Sequence, residues 1–145
     1  MPHSPIFVLN TPAIRAALRQ AWLDSNPGVT GGHEEGGFVI QDATGNLDVL
    51  RWPKGIRNSI RVPLHENCKI NDNLIVASFH THPNTGSDYI QEPSETDKRA
   101  VRDDPNLKDQ EYIGEFVISN DVIYLITPVG RVREIADTPD VLIEE

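Results

Sequence analysis

A single cysteine, Cys68, is all the thiol this chain carries. One cysteine excludes an internal disulfide and suits a reducing compartment, so a cytoplasmic protein is expected. Long apolar runs are missing as well. None approaches the ~20 residues needed to span a bilayer, and Met1-Pro2-His3-Ser4-Pro5 has neither the basic nor the apolar region of a signal peptide. No membrane partner is expected. Positive charge is scarce too: 13 Lys and Arg against 22 Asp and Glu leave a formal net charge of −9. A sequence-independent grip on nucleic acid needs cations to neutralise phosphates, so nucleic acid is not an expected partner. Lys98, Arg99 and Arg102 cluster, but they alternate with acids and read as one solvated helix face. What remains is ordinary for a globular chain: 38% apolar and 24% charged residues in 145, enough for one domain with its own core.

Local signals divide the chain. Thr11-Pro12 predicts a helix start, with Thr as N-cap and Pro in the first turn. Ile14, Ala17, Leu18, Ala21 and Trp22 continue it as an apolar stripe, and Asn26-Pro27-Gly28 ends it. The glycine-dense Gly31-Gly32-His33-Glu34-Glu35-Gly36-Gly37 leads into Phe38-Val39-Ile40. With the turn Thr44-Gly45-Asn46 and the strand from Leu47 to Trp52, this reads as a hairpin. Ile60-Arg61-Val62 is a candidate short strand. Leu74 to Phe79 is nearly all apolar, as in a strand buried on both faces. Ser94 to about Asp103 reads as a helix; Phe116 to Ile118, Val122 to Ile126 and Val132 to Ile135 read as strands. The tail from Asp137 is acidic and expected to be loose. Trp22 and Trp52 are expected in the core, Cys68 as a buried thiol, and His3 and His65 at the surface. The order implies a mixed α/β domain with one central sheet.

The chemistry lies in His80-Thr81-His82-Pro83 and, twelve residues past His82, Ser94-Glu95-Thr96-Asp97. Side chains two apart in extended chain share a face, so both imidazoles can reach one ion from a strand end. Two imidazoles and the Asp97 carboxylate fill three corners of a tetrahedron and leave the fourth for water, as in catalytic zinc sites. Ser94 and Asp97 also read as an ordinary helix cap, Ser94 at the N-cap and Asp97 in the first turn. The two readings are compatible, because a capped helix start is stiff. A glutamate near such a centre acts as proton shuttle. Glu34 and Glu35 are both candidates, and alternation along a strand does not choose between them. The neighbouring glycines would let another backbone, such as a substrate strand, come close. Asp88 is a substitute ligand if its loop folds inward.

Read together, His80-Thr81-His82-Pro83, Pro93-Ser94-Glu95-Thr96-Asp97 and the upstream Glu34-Glu35-Gly36-Gly37-Phe38-Val39-Ile40 resemble the JAMM motif of the JAB1/MPN/Mov34 metalloenzyme family. The resemblance covers roughly residues 11 to 135. It implies an α/β fold: a single MPN/JAMM domain over residues 1–145, with a curved mixed β-sheet flanked by helices, cytidine-deaminase-like, and an acidic tail over 136–145. It also implies one Zn2+ held by His80, His82 and Asp97, with Ser94 as oxyanion donor. The family's glutamate stands three residues before a small residue and an apolar strand, which selects Glu34. The stretch between His82 and Ser94 is longer than the commonest family spacing and fits an enlarged site loop, Asn84 to Glu92.

The expected activity is therefore that of a zinc metallopeptidase or isopeptidase, deubiquitinase-like. The expected substrate is a protein or peptide, the C-terminal tail of a ubiquitin-like or sulfur-carrier-like protein, and relatives of this kind often work inside larger assemblies. The alternatives are a non-catalytic MPN-type scaffold and a toxin-system zinc hydrolase acting on another amide.

Overall fold

In the computed structural model, residues 3–142 are described. Helix α1 (Pro5–Asn10) and helix α2 (Pro12–Asp24) open the chain. Strands follow as β1 (Gly36–Gln41), β2 (Leu47–Arg51), β3 (Lys69–Ile70) and β4 (Asn73–Thr81). Then come helix α3 (Glu95–Arg102), a 3-10 turn at Pro105–Leu107, strands β5 (Glu115–Ile118), β6 (Val122–Ile126) and β7 (Val132–Asp137), and helix α4 (Thr138–Leu142). The strands make one seven-stranded sheet in the order β2-β1-β4-β5-β6-β7, with β3 paired to the start of β4. All pairings are antiparallel except β4 with β5, which makes the sheet mixed. No helix among the described residues is long and apolar enough to cross a membrane.

Alternation along β4 sends its side chains to two cores. One cluster joins Val8, Leu9, Ile14, Leu18 and Ala21 of the first helices to Phe79, Phe116 and Ile118. The other gathers Phe38, Trp52, Ile75, Val101, Leu107 and Val117 on the opposite face. A register shift at Val39/Ile40 breaks the period, since Val39 faces Ala77 and Ile40 faces Ile75. The extra residue, Val76, is thereby turned into the first cluster. Trp52 is buried as expected, and Trp22 is half-buried against the first cluster.

Several expectations need correction. Helix α1 was not foreseen: Ser4 caps it and Pro5 opens it, but six residues are too few for a periodic stripe. Thr11 is the N-cap residue of α2 as expected, but its hydroxyl donates back to the Phe7 carbonyl rather than accepting from the first turn of α2. Ile60-Arg61-Val62 forms no strand, because no neighbour supplies a backbone ladder. Its apolar residues pack against the second cluster instead. The missed β3 is only two residues long and turns into β4 through Asn71 and Asp72, both at positive φ. The tail is not loose where it is described, since α4 buries Thr138 and Val141. His65 is not a surface residue: its ring packs edge-on against Phe38 and bonds the Asp104 carboxylate at 2.7 Å. Its side chain is only 8% exposed.

Cys68 is buried as expected, and its thiol donates to the Ile75 carbonyl. Burial, with Asp109 and Asp104 nearby, pushes it up to about 12. Thiolate is the reactive form. At pH 8 a native chain is therefore expected to react with an alkylating reagent at least about 10³-fold more slowly than the same chain in denaturant. Mass spectrometry of timed quenches reads this directly.

Candidate metal centre

The central strand delivers the histidines. β4 is flanked by β1 and β5, and His80 lies opposite Gly36 on one side and Val117 on the other. The ladder runs one residue past the strand, where the His82 amide donates to the Ile118 carbonyl. Pro83, which has no N–H, ends it. The Pro83 carbonyl instead accepts from Gly28. Two residues apart in extended chain, the imidazoles emerge on one side with their Nε2 atoms 3.2 Å apart. Both rings are buried.

Hydrogen bonding at the far nitrogens fixes what the near ones offer. His80 Nδ1 lies 2.6 Å from Glu115 Oε2, and His82 Nδ1 lies 3.1 Å from the Gln91 carbonyl oxygen. A carboxylate and a carbonyl accept only, so each Nδ1 carries the hydrogen, and a ring that carries no second proton turns a lone pair on Nε2 inward. Asp97 Oδ2 completes the group, 3.4 Å from His80 Nε2 and 3.2 Å from His82 Nε2. Three acceptors aimed at one point repel unless positive charge sits among them. A tetrahedral ion with bonds of about 2.0–2.2 Å holds its donors about 3.3–3.6 Å apart. The three spacings match that edge to within about 0.1 Å.

Asp97 reaches this point from the start of α3. Ser94 is the N-cap: its hydroxyl oxygen accepts from the Asp97 amide at 3.0 Å, and the Ser94 amide donates to Asp97 Oδ2 at 2.9 Å. The capping reading and the ligand reading are thus met by one conformation. Lys98 bonds Glu95 on the outer face of α3, as a solvated helix face requires. Burial alone would raise the Asp97 carboxyl, but His80 and His82 beside it hold it well below the usual carboxylate range. Burial likewise opposes a charge on His80. The Glu115 and Asp97 carboxylates outweigh it and raise the ring's hold on a proton well above that of ordinary imidazole. Both shifts express the attraction between these carboxylates and the protonated ring.

The two glutamates part company. Glu34 Oε2 lies 4.0 Å from His82 Nε2, a little beyond the tetrahedral edge. Burial pushes Glu34 up to about 7, with Asp97 and Glu115 adding to the rise and both histidines opposing it. Glu35 points the other way, where Arg51 donates to it at 2.6 Å and His33 Nε2 lies 2.5 Å from it. Thr81 fastens the same backbone, its hydroxyl accepting from the Glu35 amide. The glycines that follow leave no opening for a substrate strand. A Cβ at Gly36 would meet Trp52 at 2.5 Å and the Phe79 carbonyl at 2.6 Å, so the chain itself fills that space. Glu34, His80 and His82 are all buried, with donor atoms within 4.8 Å of one another, and this group can hold one metal ion.

A cleft of about 460 Å³ opens over the group. Trp52, Ile60, Val62, Tyr89, Ile90 and Ala100 line it, and Ser94 lies among the lining residues. The long loop after His82 is fastened by Asn84, which is buried and bonds the backbone of Gly32 and Arg57. Asp88 stays exposed on the rim and makes no third ligand. Sequence reasoning missed Glu115 and Gln91. Gln91 contributes only a backbone carbonyl, which no side-chain pattern reveals. An acid opening the fully buried run Glu115–Ile118 was the one available sign of the other.

Comparison with protein-family models, with curated proteins and with solved structures finds no match to this chain.

Proposed function

We propose that this chain is a zinc-dependent hydrolase of the JAMM type that cleaves an amide or isopeptide bond. The observation carrying the reading is the convergence of His80 Nε2, His82 Nε2 and Asp97 Oδ2 at tetrahedral spacing, with a buried glutamate just outside it. A zinc ion held there supplies Lewis acidity, which acidifies water and polarises a carbonyl. Glu34 takes a proton from the attacking water and returns it to the leaving nitrogen. A carboxyl pushed up to about 7 is matched to both halves of that task at neutral pH. The Ser94 oxygen accepts from the Asp97 amide, so its hydrogen is free to donate to the developing oxyanion. The open, partly apolar cleft suits an extended peptide tail of the ubiquitin-like or sulfur-carrier-like kind.

Ser94→Ala is expected to lower kcat about 10²- to 10³-fold by removing that donor. It is also expected to cost about 1 kcal/mol of stability by removing the helix cap. Ser94→Thr keeps a cap and a hydroxyl and is expected to restore most of both, read by kinetics and thermal melts together.

The reading is tested on fusions that carry ubiquitin-like and sulfur-carrier-like tails in amide linkage, alongside small amides. Cleavage that a chelator abolishes and zinc restores supports it. Full zinc occupancy with no cleavage of any tail or amide would favour a scaffold instead.

A further inference from the structure

The second face of the sheet buries a carboxylate where an apolar side chain would pack without penalty. Glu115 opens β5 with only 6% of its surface exposed, beside the cluster of Phe38, Val117 and Ile126. Removing an acid from water costs several kcal/mol unless it is paired. Among the described residues no Lys or Arg reaches Glu115, and its one ion-pair partner is His80. The rest of its hydrogen bonding has a direction. Ser78 Oγ donates to Glu115 Oε1 at 2.7 Å, which leaves the Tyr112 hydroxyl to donate to Ser78 Oγ, also at 2.7 Å. Burial holds the Tyr112 phenol well above its ordinary pKa, with Glu115 adding to the rise, so it stays a donor. Two hydrogens thus point down one line, from Tyr112 to Ser78 and from Ser78 to Glu115, and a third, His80 Nδ1–H, arrives from the other end.

The fold builds this line on purpose-fitted geometry. The parallel pairing of β4 with β5 sets Ser78 directly opposite Glu115. Gly114, at φ +127°, lets the chain turn sharply between Tyr112 and Glu115 with the Ile126 carbonyl packed against it. Cooperative hydrogen bonding in a dry interior strengthens each member of such a chain.

We propose that Glu115, held by Ser78 and Tyr112, is the positioning residue of the metal centre. It fixes His80 in the tautomer that presents Nε2, and lends the ring negative charge that raises its strength as a ligand. The inference rests on the metal-centre reading above and adds to it a residue that touches neither metal nor substrate.

The test is metal affinity, independent of turnover. Full-length wild-type and Glu115→Gln chains are titrated with zinc against a chromophoric chelator, and with cobalt by visible absorption. Gln keeps the shape and removes the charge, so zinc affinity is expected to fall about 10- to 100-fold. The metal-free melting temperature is followed alongside, so that loss of the buried Glu115–His80 pair is separated from loss of metal binding. Ser78→Ala, which frees one Glu115 oxygen, is expected to weaken zinc about 3- to 10-fold, a fraction of the loss typical of such outer partners. Tyr112→Phe is expected to weaken it less. Imidazole nitrogen shifts read by NMR should show His80 protonated at Nδ1 in the zinc-loaded wild type, and a mixture of tautomers in Glu115→Gln. Zinc binding by Glu115→Gln within twofold of wild type overturns the proposal. If Glu115→Gln fails to fold, unchanged affinity in Ser78→Ala overturns it instead. A wild-type chain that binds no zinc overturns this proposal and the metal-centre reading together. Tight wild-type binding with indifferent variants overturns this one alone.

Discussion

Glu34→Gln is expected to lower turnover about 10²- to 10⁴-fold, toward the upper end because in the proposed mechanism one carboxyl serves as both base and acid. Metal content is expected to stay at the wild-type level. Glutamine fills the same buried space before β1 but cannot accept a proton. In the proposed His80, His82 and Asp97 ligand set Glu34 is not a ligand, its Oε2 standing 4.0 Å from His82 Nε2, so zinc retention is not expected to depend on it. Stability separates a working acid from a structural one. Burial pushes Glu34 up to about 7 from its ordinary 4.5. A carboxyl whose folded pKa is raised binds protons more tightly in the native state, so its charged form costs stability as pH climbs from about 4.5 through 7. Metal-free Glu34→Gln is therefore expected to melt above metal-free wild type at pH 8, and the gap should close by pH 4. Glu35→Gln is the control: it loosens the link to Arg51 and His33 but leaves a proton acceptor at position 34. Its turnover should fall far less. Equal losses in the two variants would remove Glu34 from its role.

The second large effect concerns the ligands. His82→Ala is expected to weaken zinc on the order of 10³-fold, more than the 10- to 100-fold typical of outer partners. Zinc at about 100 times its Kd adds about 2.7 kcal/mol to the stability of a protein that binds it only when folded. For a chain of this size that is a rise in Tm of about 5–10 °C. The wild type should show it, and His82→Ala should not. Asp97→Asn separates a ligand from a cap. Asparagine can still accept from the Ser94 amide, so α3 keeps its start, while the charge facing the two imidazoles is lost. Zinc affinity should fall, while the metal-free Tm falls only by the loss of the carboxylate's attraction to the two imidazoles. If Asp97→Asn binds zinc as wild type does, the ion is held by the Glu34, His80 and His82 group instead. Protons compete for the imidazoles, so affinity should also decline as pH falls.

The parts of this centre that could be read in the sequence are those whose geometry is local. His80 and His82 are two apart on a strand, and Ser94 and Asp97 are three apart on a helix start. In both cases spacing alone fixes which side chains share a face. The choice of Glu34 over Glu35 was not local. It is set by Arg51 on β2 and by His33, which draw Glu35 to the opposite side. Glu115 was hidden for a similar reason: its partner Ser78 is 37 residues away, and only the register of a parallel pair brings them together. Of the fold, the hairpin and the buried central strand were plain from turn residues and apolar runs. Ile60-Arg61-Val62 has the residue types of a strand but no partner to pair with, and β-propensity speaks mainly to the first. Helices α1 and α4 are six and five residues long, stabilised by burying Val8, Leu9 and Val141 rather than by their own periodicity.

Metal stoichiometry is the most direct test. The full chain, purified without added metal or chelator, is analysed for zinc, stripped, and titrated back while Tm is followed. One zinc per chain is expected, removed by chelation and restored with the rise in Tm given above. A chain that purifies empty, takes up no divalent ion and melts at the same temperature with and without zinc would contradict a metal centre at His80, His82 and Asp97.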